Sequence, residues 1–513
     1  MNSQQQERSL FRGCWIALVT TSFGFIARIF TQGAWGAELN LSNTQVGEIL
    51  GVGLWPFSIS IVLFSLIMDK IGYKTAMIFG FACHVLSVVL TLTAHSYSSL
   101  YWATFIMALG NGTVEAYINP IVATMFSKDK PRWLNYLHGG WSGGFVIAGL
   151  VLIIALPDAG WRTKILIVLI PAIIYFLMLI GKKFPVGESA AAGVSFRETL
   201  GEVGGLGFFL ITWLMAAEFL RSSGLVVATD ASPYAPLQVG AIIAAVVGVG
   251  VGYYTKSYFG RPIFLILLLL MMLPLSTTEL GVDSWITDLM TPTMGEKAKW
   301  LFVYTSAVMT AMRFCSGPIL RALTPLGVLA VAAGGAAIAL FGLSGASTAA
   351  AIFLFGTLYG AAKAFFWPTT LAVVSEQYPR GGAMTLNGIS GTGLLGVGVL
   401  GAMFLGGIVD KTTDVNLQAA DAAIHAKVTI QKSSLLGMYY AIDQTRYEAL
   451  TAPEKAVVDT VKGGAKKGAL KFAAYLPLIM LATYLLLLLY FRSIGGYKPV
   501  DIAASTTNKS GGS

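Results

Sequence analysis

The sequence predicts an all-α membrane protein of two six-helix bundles with an extra helix pair between them, about fourteen transmembrane helices in all. Three observations lead there. Of the 513 residues, 55% are hydrophobic and 12% charged, far from the roughly 25% charged of a soluble globular chain. Apolar runs of about 20 residues recur from end to end, each long enough to cross a hydrocarbon core of ~30 Å as a helix. Part of the fourth run also recurs, in register, in a late one. Backbone groups in lipid need partners within their own segment, so the spans are helices.

In chain order, spans near 12–37, 45–68, 73–94, 98–126, 134–156 and 163–181 make the first bundle, residues 1–181. The first begins after Glu7, Arg8 and Arg12 with no small-residue cleavage site, so it reads as a span and not a signal peptide. GKKFPVGESAAAGVSFRETLGE at 181–202 interrupts the apolar pattern, and 182–203 is read as a cytoplasmic linker. Runs at 204–222 and 237–255 form the extra pair, an insertion covering 204–260. Runs near 262–285, 299–320, 325–343, 347–375, 383–409 and 470–492 complete the second bundle, 261–492. The polar stretch 410–469 reads as an extracytoplasmic surface loop or small cap, and 493–513 as a cytoplasmic tail.

An even count puts both termini on one side. Lys70, Lys74, Lys128, Lys130, Arg132, Lys182, Lys183, Lys256, Arg261 and Arg321 share it, which makes it cytoplasmic in a plasma membrane, or in the inner membrane of a Gram-negative cell. The same patterning accounts for the net charge of +9 without nucleic acid. Most of the 58 glycines lie inside apolar runs, as in GISGTGLLGVGVLG at 388–401, where they allow close helix packing. Cys14, Cys83 and Cys315 imply no disulfide framework. The histidines His84, His95, His138 and His425 are scattered, and there is neither Cys/His metal spacing nor a phosphate-cradling loop. No enzyme, cofactor or metal site is expected. The expected partners are a small-molecule substrate, a coupling proton or sodium ion and the bilayer, with a monomer as the unit.

The repeat locates the site. GNGTVEAYINP at 110–120 aligns with YGAAKAFFWP at 359–368, placing Glu115 and Lys363 each five residues before a proline, Pro120 and Pro368. At the same offset GWSG at 140–143 falls on GISG at 388–391. In duplicated transporter bundles the substrate site lies near the midplane between the halves. Asn111, Glu115 and Asn119 recur every four residues, as do Tyr359, Lys363 and Trp367. The first span adds Arg28, Gln32 and Trp35; the fifth adds His138, Trp141 and Ser142; the run at 262–285 adds Glu279 and Asp283. An ionisable group within a span costs roughly 2.5–3.5 kcal/mol on insertion scales, so each needs a partner or a wet cavity. Glu218 and Arg221 read as a local pair near a helix end.

After the second span, Asp69-Lys70-Ile71-Gly72-Tyr73-Lys74 resembles the gate motif of the major facilitator superfamily, although Ser65 and Thr75 replace two of its residues and RALTP at 321–325 lacks the acid. Within that superfamily, GNGTVEAYINPIVATMF at 110–126 followed by RWLNYLHGGWSGG at 132–144 resembles the fucose/glucose:proton symporter family. The resemblance implies the major facilitator fold, proton symport by alternating access, a coupling role for Glu115, a place for Asn119 beside the sugar site, and a sugar as leading substrate. The family's first-helix aspartate is absent here, where Arg28 stands, and Lys363 is an added cation. Those two cations support the alternative of a sugar acid or another organic anion. A non-transporting membrane sensor is the remote alternative.

Overall fold

The computed structural model describes residues 3–39, 49, 51–227, 229, 231–434 and 437–500. The start of the expected span 45–68 and most of the expected tail lie outside them. So do the side chains of Gln32 and Asp69, whose backbone is helical. Among the described residues, eleven helices are long and apolar enough to cross a membrane, and Trp55–Met68 is a shorter apolar helix.

The first half comprises α1 (Ser3–Glu38), α2 (Trp55–Leu92), α3 (Tyr97–Met125), α4 (Lys130–Leu150) and α5 (Leu169–Leu179). Then come α6 (Phe196–Ser222) and α7 (Ala235–Thr255). The second half holds α8 (Pro262–Thr287), α9 (Ala298–Phe314), α10 (Ser316–Gly345), α11 (Ala349–Lys363), α12 (Phe366–Gln377), α13 (Gly382–Leu395), α14 (Ala402–Ala420), α15 (Ala452–Ala473) and α16 (Tyr475–Ser493).

Helix α2 breaks into two limbs at Gly72, where φ is 75° and ψ 155°. Nothing lies within 4 Å of a Cβ built there, so backbone conformation alone demands glycine. The corresponding turn in α10 uses Thr324, with φ at 59°, followed by Pro325. A β-branched residue in that region is strained, and its Oγ1 accepts from the Gly327 amide at 3.3 Å.

The repeat is physical. A Cβ on Gly112 of α3 would collide with the Phe57 carbonyl of α2, and one on Gly360 of α11 would lie 2.7 Å from the Thr305 carbonyl of α9. Both the glycines and their neighbours are 248 residues apart. The same spacing relates the contacts between halves. Gly143 of α4 faces Thr310 of α9, and Gly391 of α13 faces Val62 of α2. The halves are thus related by a pseudo-twofold, with the fifth span of each packed on the second span of the other.

Helices α6 and α7 form a hairpin whose inner face is glycine and alanine, with Gly205 against Gly248 and Gly240 against Ala217. Its open end is clasped by backbone bonds from Gly205 N to Ser257 O (2.9 Å) and from Leu206 N to Tyr258 O (2.7 Å). The outer face of α7 is bare and apolar, with Val246 72% exposed.

The segment 410–469 is more ordered than a surface loop. Helix α14 continues to Ala420, the antiparallel strands β1 (Thr429–Ser434) and β2 (Gly437–Ile442) pair with Thr429 opposite Ile442, and α15 leads straight into α16. Leu417, Ile424, Val428 and Val458 bury a small core of their own. These four are sparse among charged residues, with only Ile424 and Val428 at i, i+4, so the apolar pattern is too weak to tell a small cap from a surface loop.

Both described chain ends lie on one face, called here the terminal face. Phe11 packs on Trp133, Lys130 Nζ donates to Ser375 O across the halves at 3.1 Å, and Val500 N donates to Glu376 O at 2.8 Å. The cap lies at the opposite end.

Candidate functional site

Prolines open the central helices. Pro120 in α3 has no N–H for the carbonyl four residues back, and neither has Pro368 in α12, so Ala116 and Ala364 are left with free carbonyls. Buried side chains take both. Asn387 of α13 donates to Ala116 O at 3.0 Å, and Arg313 of α9 donates through Nε to Ala364 O at 2.9 Å. Ala116 and Ala364 are again 248 residues apart.

Between these helices lies a cavity lined by Phe57, Glu115, His138, Trp141, Glu279, Leu280, Arg313, Trp367 and Leu394. On the first-half wall, Glu115 Oε2 accepts from Asn119 Nδ2 at 2.6 Å. Asn119 Oδ1 is 3.0 Å from His138 Nε2. With the amide in that orientation, the His138 proton is assigned to Nε2, which then donates.

On the second-half wall, Arg313 Nη2 donates to Glu279 Oε1 at 2.9 Å, and Nη1 donates to the His138 carbonyl of the other half at 2.7 Å. With the bond to Ala364, this uses three of the guanidinium's five N–H donors. Glu279 lies in a π-turn, Thr277–Gly281, a distortion frequent at functional sites. Its Oε2 is buried without a partner among the described residues. One turn on, Asp283 takes Lys363 Nζ on both oxygens, at 2.5 and 2.6 Å. That ammonium lies 4.7 Å over the Tyr359 ring, whose hydroxyl donates to Thr278 O at 2.6 Å.

The structure therefore brings Glu115, Asn119, His138, Glu279, Trp141 and Trp367 together around the cavity, with Asp283, Lys363 and Tyr359 directly behind Glu279. Asp283 is buried and paired with Lys363. Asn111 faces away and meets His84 Nε2 at 3.0 Å. Four-residue steps drift by about 40° on a 3.6-residue helix, so Asn111, Glu115 and Asn119 do not share one direction. Trp35 is buried edge-on to Trp161, outside the cavity lining. Arg28 is also off the lining, with Nε on Gly24 O at 2.9 Å and Nη1 without a partner among the described residues. Ser142 accepts from Thr310 at 2.9 Å, and Glu218 pairs with Arg221 as a local pair. Lys70 and Lys74 are exposed on the terminal face, beside the turn at Gly72.

Sequence reasoning passed over Arg313. The signal was present: an arginine inside the apolar run 299–320 carries the same insertion cost that singled out Lys363.

The family model described as Major Facilitator Superfamily matches residues 14–286, more than half of the chain. The chain belongs to the major facilitator superfamily. The chain is 26% identical over 203 residues to a gentisate transporter of Corynebacterium glutamicum, a match covering 38% of this chain and 45% of that protein. It is 25% identical over 170 residues to a cis,cis-muconate transport protein of Acinetobacter baylyi, covering 33% and 41%. The chain thus spans less than half the length of these curated relatives. Among solved structures it resembles the superfamily transporter FucP in an outward conformation, with a TM-score of 0.56 at 13% identity over 93% of this chain and 98% of that one. It also resembles the human organic anion transporter MFSD10, with a TM-score of 0.58 at 12% identity over 94% and 100%. At such identities the likeness shows the fold alone.

Proposed function

We propose that this transporter carries a small organic acid together with a proton, holding the substrate carboxylate on Arg313 and the proton on Glu115, by rocking of the two halves around the cavity. The observation that carries the reading is the environment of Arg313: a buried guanidinium on the wall of a cavity that Trp141 and Trp367 also line, with three of its five N–H donors in hydrogen bonds. A guanidinium suits a planar carboxylate, and the tryptophan faces suit a flat apolar body. Gentisate and muconate, named for the two relatives, are carboxylates.

Glu115 is the group suited to carry the proton, because its described partner Asn119 is neutral and no cation is stranded when the carboxylate is neutralised. The polar bonds between halves, among them Asn387 to Ala116, Arg313 to His138, Lys130 to Ser375, Asn135 to Thr369 and Thr310 to Ser142, are those that rocking breaks or remakes. In this reading the terminal face is cytoplasmic, consistent with its lysines and arginines.

A neutral sugar is the second reading, favoured by the hydrogen-bonding row of Glu115, Asn119 and His138 beside the two tryptophans.

Uptake into proteoliposomes under an imposed inward proton gradient tests both, with labelled aromatic and aliphatic carboxylates and neutral sugars. A carboxylate is expected to accumulate, and Glu115→Gln to abolish accumulation while leaving counterflow exchange. Accumulation of sugars instead replaces the first reading by the second, and undiminished accumulation in Glu115→Gln removes the coupling role.

A further inference from the structure

We propose that the terminal face carries a binding site for an anionic phospholipid, in the groove between the turn at Gly72 and the linker that follows α5. The groove has about 1060 Å³ of open space, and its lining includes Lys74, Lys182 and Lys183 together with Met68, Phe184 and Val186. Among the described residues, no side-chain hydrogen bond or ion pair is recorded for any of the three ammonium groups. The acid nearest along the linker, Glu188, is committed to Lys130 at 2.7 Å. Three positive charges thus line one concavity.

Topogenic patterning explains why lysines occur in these loops, but not why they converge on a groove with apolar walls. A free phosphate would use only the lysines. A phospholipid uses both parts, placing its headgroup phosphate on the ammonium groups and its glycerol and upper acyl chain on Met68, Phe184 and Val186. On the adjoining helices the apolar side chains of Ile67 in α2 and Leu177 in α5 are exposed. A lipid seated there touches the strap beside Glu188, which Lys130 clamps against the second half. The inference stands on the groove and on membership of a membrane family, and is independent of which solute is carried.

The test uses the purified full chain in detergent, titrated with phosphatidylglycerol, phosphatidylcholine or glycerol 3-phosphate, with bound lipid counted by native mass spectrometry and the unfolding midpoint followed in parallel. Phosphatidylglycerol is expected to bind and raise the midpoint, and the other two probes to do neither. Lys182→Gln/Lys183→Gln is expected to weaken phosphatidylglycerol binding on the order of tenfold or more. Lys128→Gln/Arg321→Gln, which removes equal charge from the same face outside the groove, should leave it unchanged. Val186→Asp keeps every lysine, places an acid in the groove and is expected to weaken binding as well, and gel filtration and the lipid-free midpoint confirm that each variant is folded. Equal weakening in both charge doubles, equal stabilisation by glycerol 3-phosphate, or equal binding of phosphatidylcholine would each overturn the site.

Discussion

Glu115 and Lys363 occupy the same place in the two halves, 248 residues apart, yet they are held in opposite ways. The carboxylate of Glu115 rests on the neutral amide of Asn119. The ammonium of Lys363 is locked to Asp283, next to a second ion pair between Glu279 and Arg313. Duplication supplied two equivalent buried positions, and divergence made one able to gain a proton without stranding a charge while the other became part of a balanced frame. Removing one partner of a buried pair leaves an uncompensated charge in low dielectric, whereas neutralising a carboxylate with neutral donors does not.

The largest effect should therefore fall on the second half. Asp283→Asn leaves Lys363 buried and unpaired and is expected to cost about 3–5 kcal/mol, seen as a lower unfolding midpoint. Asp283→Asn/Lys363→Met should recover most of it. If the single variant unfolds like the parent, the pair does not lock the frame. Arg313→Gln comes next. A hydrogen bond to a charged group is worth about 1.5–3 kcal/mol, so apparent affinity for a carboxylate should fall about 10- to 100-fold, measured by counterflow.

Asn387→Ala removes the donor that occupies the carbonyl freed by Pro120, at a cost of about 1 kcal/mol. In a Pro120→Ala background the restored backbone N–H can take that carbonyl, so the cost should shrink; an undiminished cost would show that Asn387 acts elsewhere. Glu115→Gln should be milder still for folding, below about 1 kcal/mol, because the glutamine carbonyl accepts from Asn119 as the carboxylate does. Its effect belongs to accumulation, and a large loss of stability would show that Glu115 carries a structural charge instead.

Much of this contrast was legible before any coordinates. Apolar runs mark the helices because a bilayer leaves few options, and the spacing of Glu115 and Lys363 marks the duplicated helices. The partners were not legible. Whether Lys363 meets Glu115 or Asp283 depends on how whole helices are rotated and where they break, and the break at Ala364 and Phe365 and the π-turn at Glu279 leave no periodic trace in sequence. Asn111 failed for a related reason, since a small angular drift carried it onto His84. For 410–469 the sequence offered a surface loop or a small cap, and its charged outer faces hid the helices and hairpin within it.

The smallest effect offers a control in water. Lys427 and Glu454 in the cap form the same kind of pair as Lys363 and Asp283, at 2.6 Å, but on the surface. The hydrogen bond from Lys427, followed by those from the Thr451 hydroxyl and amide, holds the Glu454 carboxyl down to about 2 from its ordinary 4.5. A depressed carboxylate contributes stability that is present above its unfolded value and lost as pH falls through its folded one. Protection of the 452–460 amides, measured by hydrogen exchange and corrected for intrinsic rates, should therefore hold down to about pH 4.5 and decline towards pH 2. Exposed pairs are worth little because water already solvates both charges, so Glu454→Gln should move the unfolding midpoint far less than Asp283→Asn. Equal shifts would mean that burial is not what makes the Lys363 pair costly to break, and the contrast between the two halves would lose its physical basis.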